Sequence, residues 1–219
     1  MKKYQTYKCN KCGNEVEVQT VGGGKLSCCG EHMECTTENL TAVNLMKAFA
    51  GESMARNKYD LYGDIAYEQG YHRIARFFHE AAENEKYHAR AEYKAYNKLA
   101  HDYELDSTAR NIVAAADGEQ YEHEIMYPEF EAIANDEGLK EIARMLKAIG
   151  KVEVEHEKEY RELLEALEAE GFFDSDEEEE WVCEVCGHIH RGKKAPGACP
   201  LCKVPKEYFK KRNKDVTVG

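Results

Sequence analysis

Four fragments of this sequence return at almost one spacing. Ile74-Ala75-Arg76 recurs as Ile142-Ala143-Arg144, Tyr59 as Tyr127, and Glu85-x-x-His88 as Glu153-x-x-His156, all at an offset of 68; Gly51-Glu52 recurs as Gly118-Glu119 at 67. Repetition at a fixed period marks a duplicated supersecondary unit. The segment that carries it, 37–172, contains a single proline, Pro128. It reads as four amphipathic helices of roughly 30 residues, each about 45 Å long. They are expected at about 38–69, ending at Gly70; at 71–101; from a cap at Asp106 or Ser107 to about Asn135; and from Gly138 to Gly171. Pro128 falls inside the third and should kink it or free one carbonyl. Long amphipathic helices with short connections give a four-helix bundle. Each repeat is then one helical hairpin, and a pseudo-twofold gathers the matching Glu and His residues. The crossover between the hairpins stays open.

The ends are different. Nine cysteines are split into five before residue 36 and four after residue 182, with none between. Clustered cysteines in a reducing compartment point to metal before disulfides. Cys183, Cys186, Cys199 and Cys202 follow C-x2-C-x12-C-x2-C, two knuckles that read as a tetrahedral thiolate site. Gly187 follows the first knuckle, whereas Lys203 stands in the matching place after the second. Cys9, Cys12, Cys28 and Cys29 form a second candidate quartet. Adjacent side chains on a strand point to opposite faces, so Cys28 and Cys29 share a metal only if the chain turns sharply there, which Gly30 permits. Cys35 is left over and reads as a free thiol. Spacing alone does not choose iron over zinc, the commoner structural metal. Between helices and tail lies "FDSDEEEE", 173–180, with six acidic residues in seven; like charges repel, so a solvated linker is expected. The domains expected are 1–36, 37–172, the linker 173–180, and 181–219.

The net charge is −12, which argues against nucleic acid or another polyanion as partner. No basic segment followed by an apolar stretch opens the sequence, and no apolar run approaches the ~20 residues needed to span a bilayer. A cytoplasmic location is expected.

A Glu-x-x-His pair shares one helix face and alone is most often solvated. Duplicated, and joined by Gly-Glu pairs from the other two helices, it matches the arrangement of ferritin-like di-iron carboxylate bundles. Glu52, Glu85, Glu119, Glu122 and Glu153 could be buried together only with counter-charge. Two divalent metals supply it, and iron accepts mixed carboxylate and imidazole ligands. The glycines before Glu52 and Glu119 each cost about 1 kcal/mol in a helix, so close helix approach there is expected. Glu83 should point away. His72, His79, His101 and His123 lie outside the repeat and read as surface or core histidines. Tyr59, two turns along from Glu52, could equally be bundle core.

The runs "FAGESMARNKYDLYGDIA", "ENEKYHA", "DGEQYEHEIMYP" and "VEVEH" closely resemble rubrerythrin. "WVCEVCGHIHRGKKAPGACPLCKVPKEYF" resembles that family's C-terminal rubredoxin domain, so the resemblance covers residues 37 to about 210. "YKCNKCGNEVEVQTVGGGKLSCCG" looks like desulforedoxin and the N-terminal domain of desulfoferrodoxin. The fold implied is mainly α: a ferritin-like four-helix bundle flanked by two small Cys-rich β/loop domains. Implied di-iron ligands are Glu52, Glu85, Glu119, Glu122, Glu153 and His156. His88 matches an exchangeable ligand, taken up when one iron leaves the position matched by Glu122. Tyr59 and Tyr127 match tyrosines that hydrogen-bond the carboxylates. Both thiolate quartets are implied to hold one iron each, with zinc possible at either. The activity implied is reduction of hydrogen peroxide to water, an oxidative-stress defence in an anaerobe. Electrons would come from an external donor such as an NAD(P)H-dependent rubredoxin reductase, since no dinucleotide fingerprint is present. Pairing into a homodimer is also implied. A ferritin-like iron-oxidising or storage protein, and an electron carrier without catalysis, are the alternatives.

Overall fold

The computed structural model describes residues 1–169 and 172–212. The chain divides into two compact units, Met1–Asp106 and Ser107–Gly219.

The first unit begins with β1 (Thr6–Lys8), β2 (Glu15–Glu17) and, later, β5 (Glu34–Cys35), in one antiparallel sheet of order β2-β1-β5; β3 (Ser27–Cys28) and β4 (Glu31–His32) form a separate hairpin. Helices α1 (Leu40–Glu68) and α2 (His72–His101) follow. Asn39 caps α1, its side chain accepting from the Ala42 N–H at 3.1 Å, a contact worth about 1 kcal/mol. Ala75, Ala82 and Ala89 are buried at seven-residue spacing along α2; a seam of small side chains lets two helices pack closely.

The second unit opens with α3 (Thr108–Tyr121), capped by Ser107, whose hydroxyl accepts from the Arg110 N–H. A single π-helical stretch, Glu122–Met126, leads into α4 (Tyr127–Asp136), and α5 (Lys140–Glu168) runs back. The third sequence segment is thus one helix with a widened turn. Pro128 sits just beyond that turn, where its missing N–H leaves one α-helical bond unmade. The expected end of the last helix at Gly171 lies outside the described residues.

The helix ends confirm the duplication. Gly70 and Gly138 both have positive φ (82° and 78°). Tyr71 N–H bonds Ala66 C=O and Leu139 N–H bonds Ala134 C=O, each at 2.8 Å. Both helices therefore end in the same left-handed glycine cap, again 68 residues apart.

The acidic run expected to be a solvated linker is instead the start of β6 (Asp174–Cys183), which pairs with β7 (Ile189–Lys194) and β8 (Phe209–Lys211) in the order β7-β6-β8. Basic partners compensate the charges at its two ends: Lys194 binds Asp174, and Arg191 and Arg212 both bind Glu180. The reading from like-charge repulsion could not see these cross-strand cations. This small domain packs on Trp181, Cys183, Ala195, Cys199 and Phe209.

Within its own unit neither Gly51 nor Gly118 is a point of close helix approach: a Cβ at either would meet no atom within 4 Å. Tight approach falls at Gly150 instead, where a Cβ would lie 3.0 Å from the Cβ of Tyr127. The four long helices, counting α3 to α4 as one, fit a ferritin-like bundle, with Cys-rich strand regions at both ends.

Candidate metal centres

The thiolate groups are built by local backbone geometry. At Cys183-Cys186, the Gly187 N–H bonds the Cys183 C=O at 2.8 Å with φ +74°. The second knuckle repeats this with Lys203, whose N–H bonds the Cys199 C=O at 3.0 Å and whose φ is +66°. Lys203 therefore adopts the glycine-like conformation at a cost of about 1 kcal/mol. Lys203→Gly is expected to raise the stability of this domain by about that amount, read by thermal unfolding of the metal-loaded protein. A drop would show that the Lys203 Nζ bond to the Pro200 C=O outweighs the strain. The four sulfurs lie within 4.8 Å of one another. Burial pushes Cys199 up, but the Cys202 and Leu201 N–H groups outweigh it and hold it at about 6. For Cys202 the Val204 N–H pulls down, yet burial and the neighbouring thiols push it to about 12. A cation would remove that conflict, as a metal binding thiolates does.

At the front, Cys9 N–H bonds the Asn14 C=O and Gly13 N–H bonds the Cys9 C=O, a third knuckle. Cys29 and Gly30 both have positive φ, 53° and 79°, and form the two-residue turn between β3 and β4. Such turns match the twist of the flanking strands. The sharp turn expected at Cys28-Cys29 is therefore present. Cys12 Sγ is 3.5 Å and Cys29 Sγ 3.8 Å from Cys28 Sγ, and all four cysteines fall within 4.8 Å. The Cys12 N–H helps hold Cys9 at about 7, while Cys12 and Cys28 push Cys29 to about 12. Cys35 lies outside the group, on β5 opposite Tyr7.

The helical units carry twin constellations. In the first, His88 Nδ1 is 2.7 Å from Glu85 Oε2 and 3.9 Å from Glu52 Oε2. In the second, His156 Nδ1 is 2.6 Å from Glu153 Oε2 and 3.9 Å from Glu119 Oε2. Each trio offers donor atoms within 4.8 Å. Burial first, then Glu85, raises Glu52; burial, then Glu153 and Glu122, raises Glu119. Both carboxyls are thus short of positive charge, which two metal ions would supply. Glu122 is near enough to act on Glu119 and Tyr127 electrostatically but is not among the close trio. Tyr127 is raised by burial, then by Glu122, Glu153 and Glu119, so it borders the carboxylates. Tyr59 packs with Tyr62 and Phe78 at 6.5 and 6.1 Å between ring centres, the aromatic environment of a core residue. Glu83 pairs with Lys86, away from the trio.

The π-helical stretch explains the change of offset from 67 to 68. It inserts one residue between Glu119 and Tyr127 relative to the first hairpin, where α1 is regular throughout. Single-residue π insertions concentrate at functional sites, and this one begins at Glu122. His123, read from sequence as an ordinary histidine, braces that turn: its Nε2 lies 2.7 Å from Glu157 Oε2, and Arg161 Nε donates to Glu157 Oε1 at 2.9 Å. The only sequence signal was the one-residue slip. Glu92 was also missed. Its charge acts on Glu52, and its Oε2 is buried with no hydrogen-bond partner among the described residues; a Glu one turn beyond His88 on the same face was the available clue.

The Rubrerythrin family model matches residues 43–164, the rubredoxin-like domain of rubrerythrin matches 181–210, and the desulfoferrodoxin N-terminal domain matches 1–35. Rubrerythrin-1 of Clostridium acetobutylicum is 43% identical over 180 residues, 77% of this chain and 92% of its own length. Desulfoferrodoxin of Nitratidesulfovibrio vulgaris is 57% identical over 35 residues, 16% of this chain and 28% of its own. A nigerythrin chain solved in a mixed-valence state is 32% identical over 81% of this chain and 88% of that one, with a TM-score of 0.30; the sequence likeness, not the superposition, relates the two. No helix among the described residues is long and apolar enough to cross a membrane. The chain carries carboxylate–histidine groups suited to a di-iron site and two cysteine quartets suited to single metal ions; by the match over most of its helical segment and by identity to a relative along most of its length, the chain belongs to the rubrerythrin family.

Proposed function

We propose that this chain reduces hydrogen peroxide to water, taking electrons through its thiolate sites from an external NAD(P)H-linked reductase. Homodimeric assembly is part of the same reading. The observation that carries it is the twin Glu-Glu-His geometry in one chain with two close thiolate quartets. Storage of iron needs no one-electron donor, and a pure carrier needs no cluster of half-buried carboxylates.

Peroxide needs two electrons and two protons to become two waters. When bound, a di-iron pair would supply the two electrons, one from each metal. The protein's share is positioning and proton traffic. Glu52 and Glu85 in the first unit and Glu119 and Glu153 in the second are the carboxylates that would hold it. Glu122, on the widened turn and outside the close trio, is the carboxylate with room to change partners and to carry a proton. Tyr127, held in its protonated form by those carboxylates and by burial, can donate a hydrogen bond to them. Tyr59 is assigned the corresponding place in the first hairpin.

His88, paired with Glu85 at 2.7 Å and half exposed, is assigned the exchangeable role by the family resemblance, since His156 has the same geometry. His88→Ala is expected to leave the oxidised di-iron spectrum in place, change the reduced one, and slow peroxide turnover about tenfold or more. An unchanged reduced spectrum with unchanged turnover would sink the ligand-exchange role. The function as a whole is tested by peroxide consumption in the reduced protein.

A further inference from the structure

A closed loop of polar side chains surrounds the widened turn of the second unit. His123 Nε2 donates to Glu157 Oε2 at 2.7 Å, and Arg161 Nε donates to the other oxygen, Oε1, at 2.9 Å. Arg161 Nη2 reaches Gln120 Oε1 at 3.2 Å and Asp117 Oδ1 at 3.3 Å. Gln120 Nε2 completes the loop by donating to Glu124 Oε1 at 3.3 Å. His123 and Glu124 are the two residues that follow Glu122 in the π-helical stretch. One is tied to α5 and the other to α3, and Arg161 joins the two ties. The His123 and Glu157 side chains are only 14% and 18% exposed, so water and salt weaken this pair less than a surface pair. Glu122 itself is not a member of the loop.

The first unit lacks both the loop and the turn. Counted back by 67 before the slip and 68 after it, Asp117 corresponds to Ala50, Gln120 to Ser53, Glu157 to Ala89 and Arg161 to Tyr93. Those side chains cannot build the same loop. Ser53 and Ala89 instead help to wall a cavity of about 250 Å³, and α1 runs as unbroken α-helix. The turn has a geometric consequence. Tyr59 stands seven residues after Glu52, two turns along one face, whereas Tyr127 stands eight after Glu119. In a regular α-helix that eighth residue would be rotated off the face by about 100°. The π-helical stretch absorbs it, its closing bond running from the Tyr127 N–H to the Glu122 C=O. Tyr127 and Glu122 thereby both stay within electrostatic reach of Glu119. A π insertion is rare, and strained backbone persists where the surrounding structure over-determines it.

We propose that His123, Glu157 and Arg161 are positioning residues, a clamp that keeps the π-helical turn in place and so holds Glu122 and Tyr127 on the carboxylate face. The clamp fixes the backbone of Glu122 and leaves its side chain free. The proposal rests on the reading of Glu122 as a carboxylate of the metal site and names what holds it there.

His123→Leu keeps the bulk and removes the donor; His123→Gln returns a donor. In the oxidised, iron-loaded chain, amide exchange read by mass spectrometry over peptides spanning 120–130 should quicken about tenfold or more in His123→Leu. It should fall back toward the parent rate in His123→Gln, with α1 and α2 unmoved throughout. In the Mössbauer spectrum of the same protein the di-iron component should change in His123→Leu and recover in His123→Gln, while the thiolate irons stay as they were. Arg161→Met should move both readouts the same way, which keeps the clamp testable should His123→Leu fail to fold. Parent exchange rates in both variants would overturn the clamp. Faster exchange with an unaltered di-iron component would make the loop a structural brace only and overturn the positioning role. Glu122→Ala separates that failure from one beneath it. If this change too leaves the di-iron component unaltered, the reading of Glu122 at the metals is what has failed, and the positioning role falls with it.

Discussion

Glu153→Ala is expected to lower peroxide turnover by more than about 100-fold, because on the proposed reading it removes a ligand rather than the 10- to 100-fold worth of an outer partner. Glu153 is the most buried carboxylate of the two trios, with its side chain 12% exposed, and its oxygen is 2.6 Å from His156. It also acts on Glu119 and Tyr127. Its loss leaves His156 without its nearest partner and relieves the like-charge pressure on Glu119. Alanine is the best helix former, so α5 should persist and the far-UV circular dichroism should not move. Iron analysis should find the di-iron site underfilled while both thiolate sites stay loaded. Full iron content with ordinary turnover would remove Glu153 from the ligand set.

Cys199→Ser is expected to unfold the tail domain, and the chain's one tryptophan reports it directly. Trp181 is 1% exposed and its indole N–H donates to the Gly192 C=O at 2.9 Å. The core around it consists of few residues, two of them cysteines of the tail quartet, Cys183 and Cys199. A domain of about 40 residues cannot bury enough apolar surface to stand alone, and metal binding free energy is then folding free energy. Loss of one sulfur should therefore shift Trp181 emission to the red and expose residues 172–212 to protease, while the helical signal of α1 to α5 is kept. Cys35→Ser, a change outside both quartets, should do none of this. A blue, protected Trp181 in metal-free Cys199→Ser would mean that the strands β6 to β8 fold without metal.

The sequence carried the helices well because their ends are written in local chemistry. Gly70 and Gly138 are left-handed caps, Asn39 and Ser107 are side-chain caps, and all four signals are short-range. The two Glu-Glu-His trios were also legible as groupings, since Glu-x-x-His duplicated at one offset leaves little freedom once both copies are helical. The misread parts depended on partners far along the chain. The run 174–180 looked like a repelling linker because Arg191, Lys194 and Arg212, which pair with its two ends, Glu180 and Asp174, are brought alongside only by the sheet. The glycines before Glu52 and Glu119 looked like points of close approach; that role belongs to Gly150, facing Tyr127. The π-helical stretch was present as a one-residue slip between two offsets, but a slip names no geometry until the helix is seen. His123 was passed over because its partner, Glu157, is 34 residues away and no local pattern joins them.

The most direct test of the central claim is a single titration. The iron-loaded protein is reduced anaerobically, mixed with one equivalent of hydrogen peroxide, and followed through the visible bands of its thiolate sites. The expected result is prompt loss of the peroxide, with two electrons withdrawn per molecule, no dioxygen released, and the bands of the oxidised thiolate sites returning as they refill the di-iron site. Thiolate sites that stay reduced while the peroxide persists would contradict a peroxide reductase and leave a carrier or an iron-handling protein in its place.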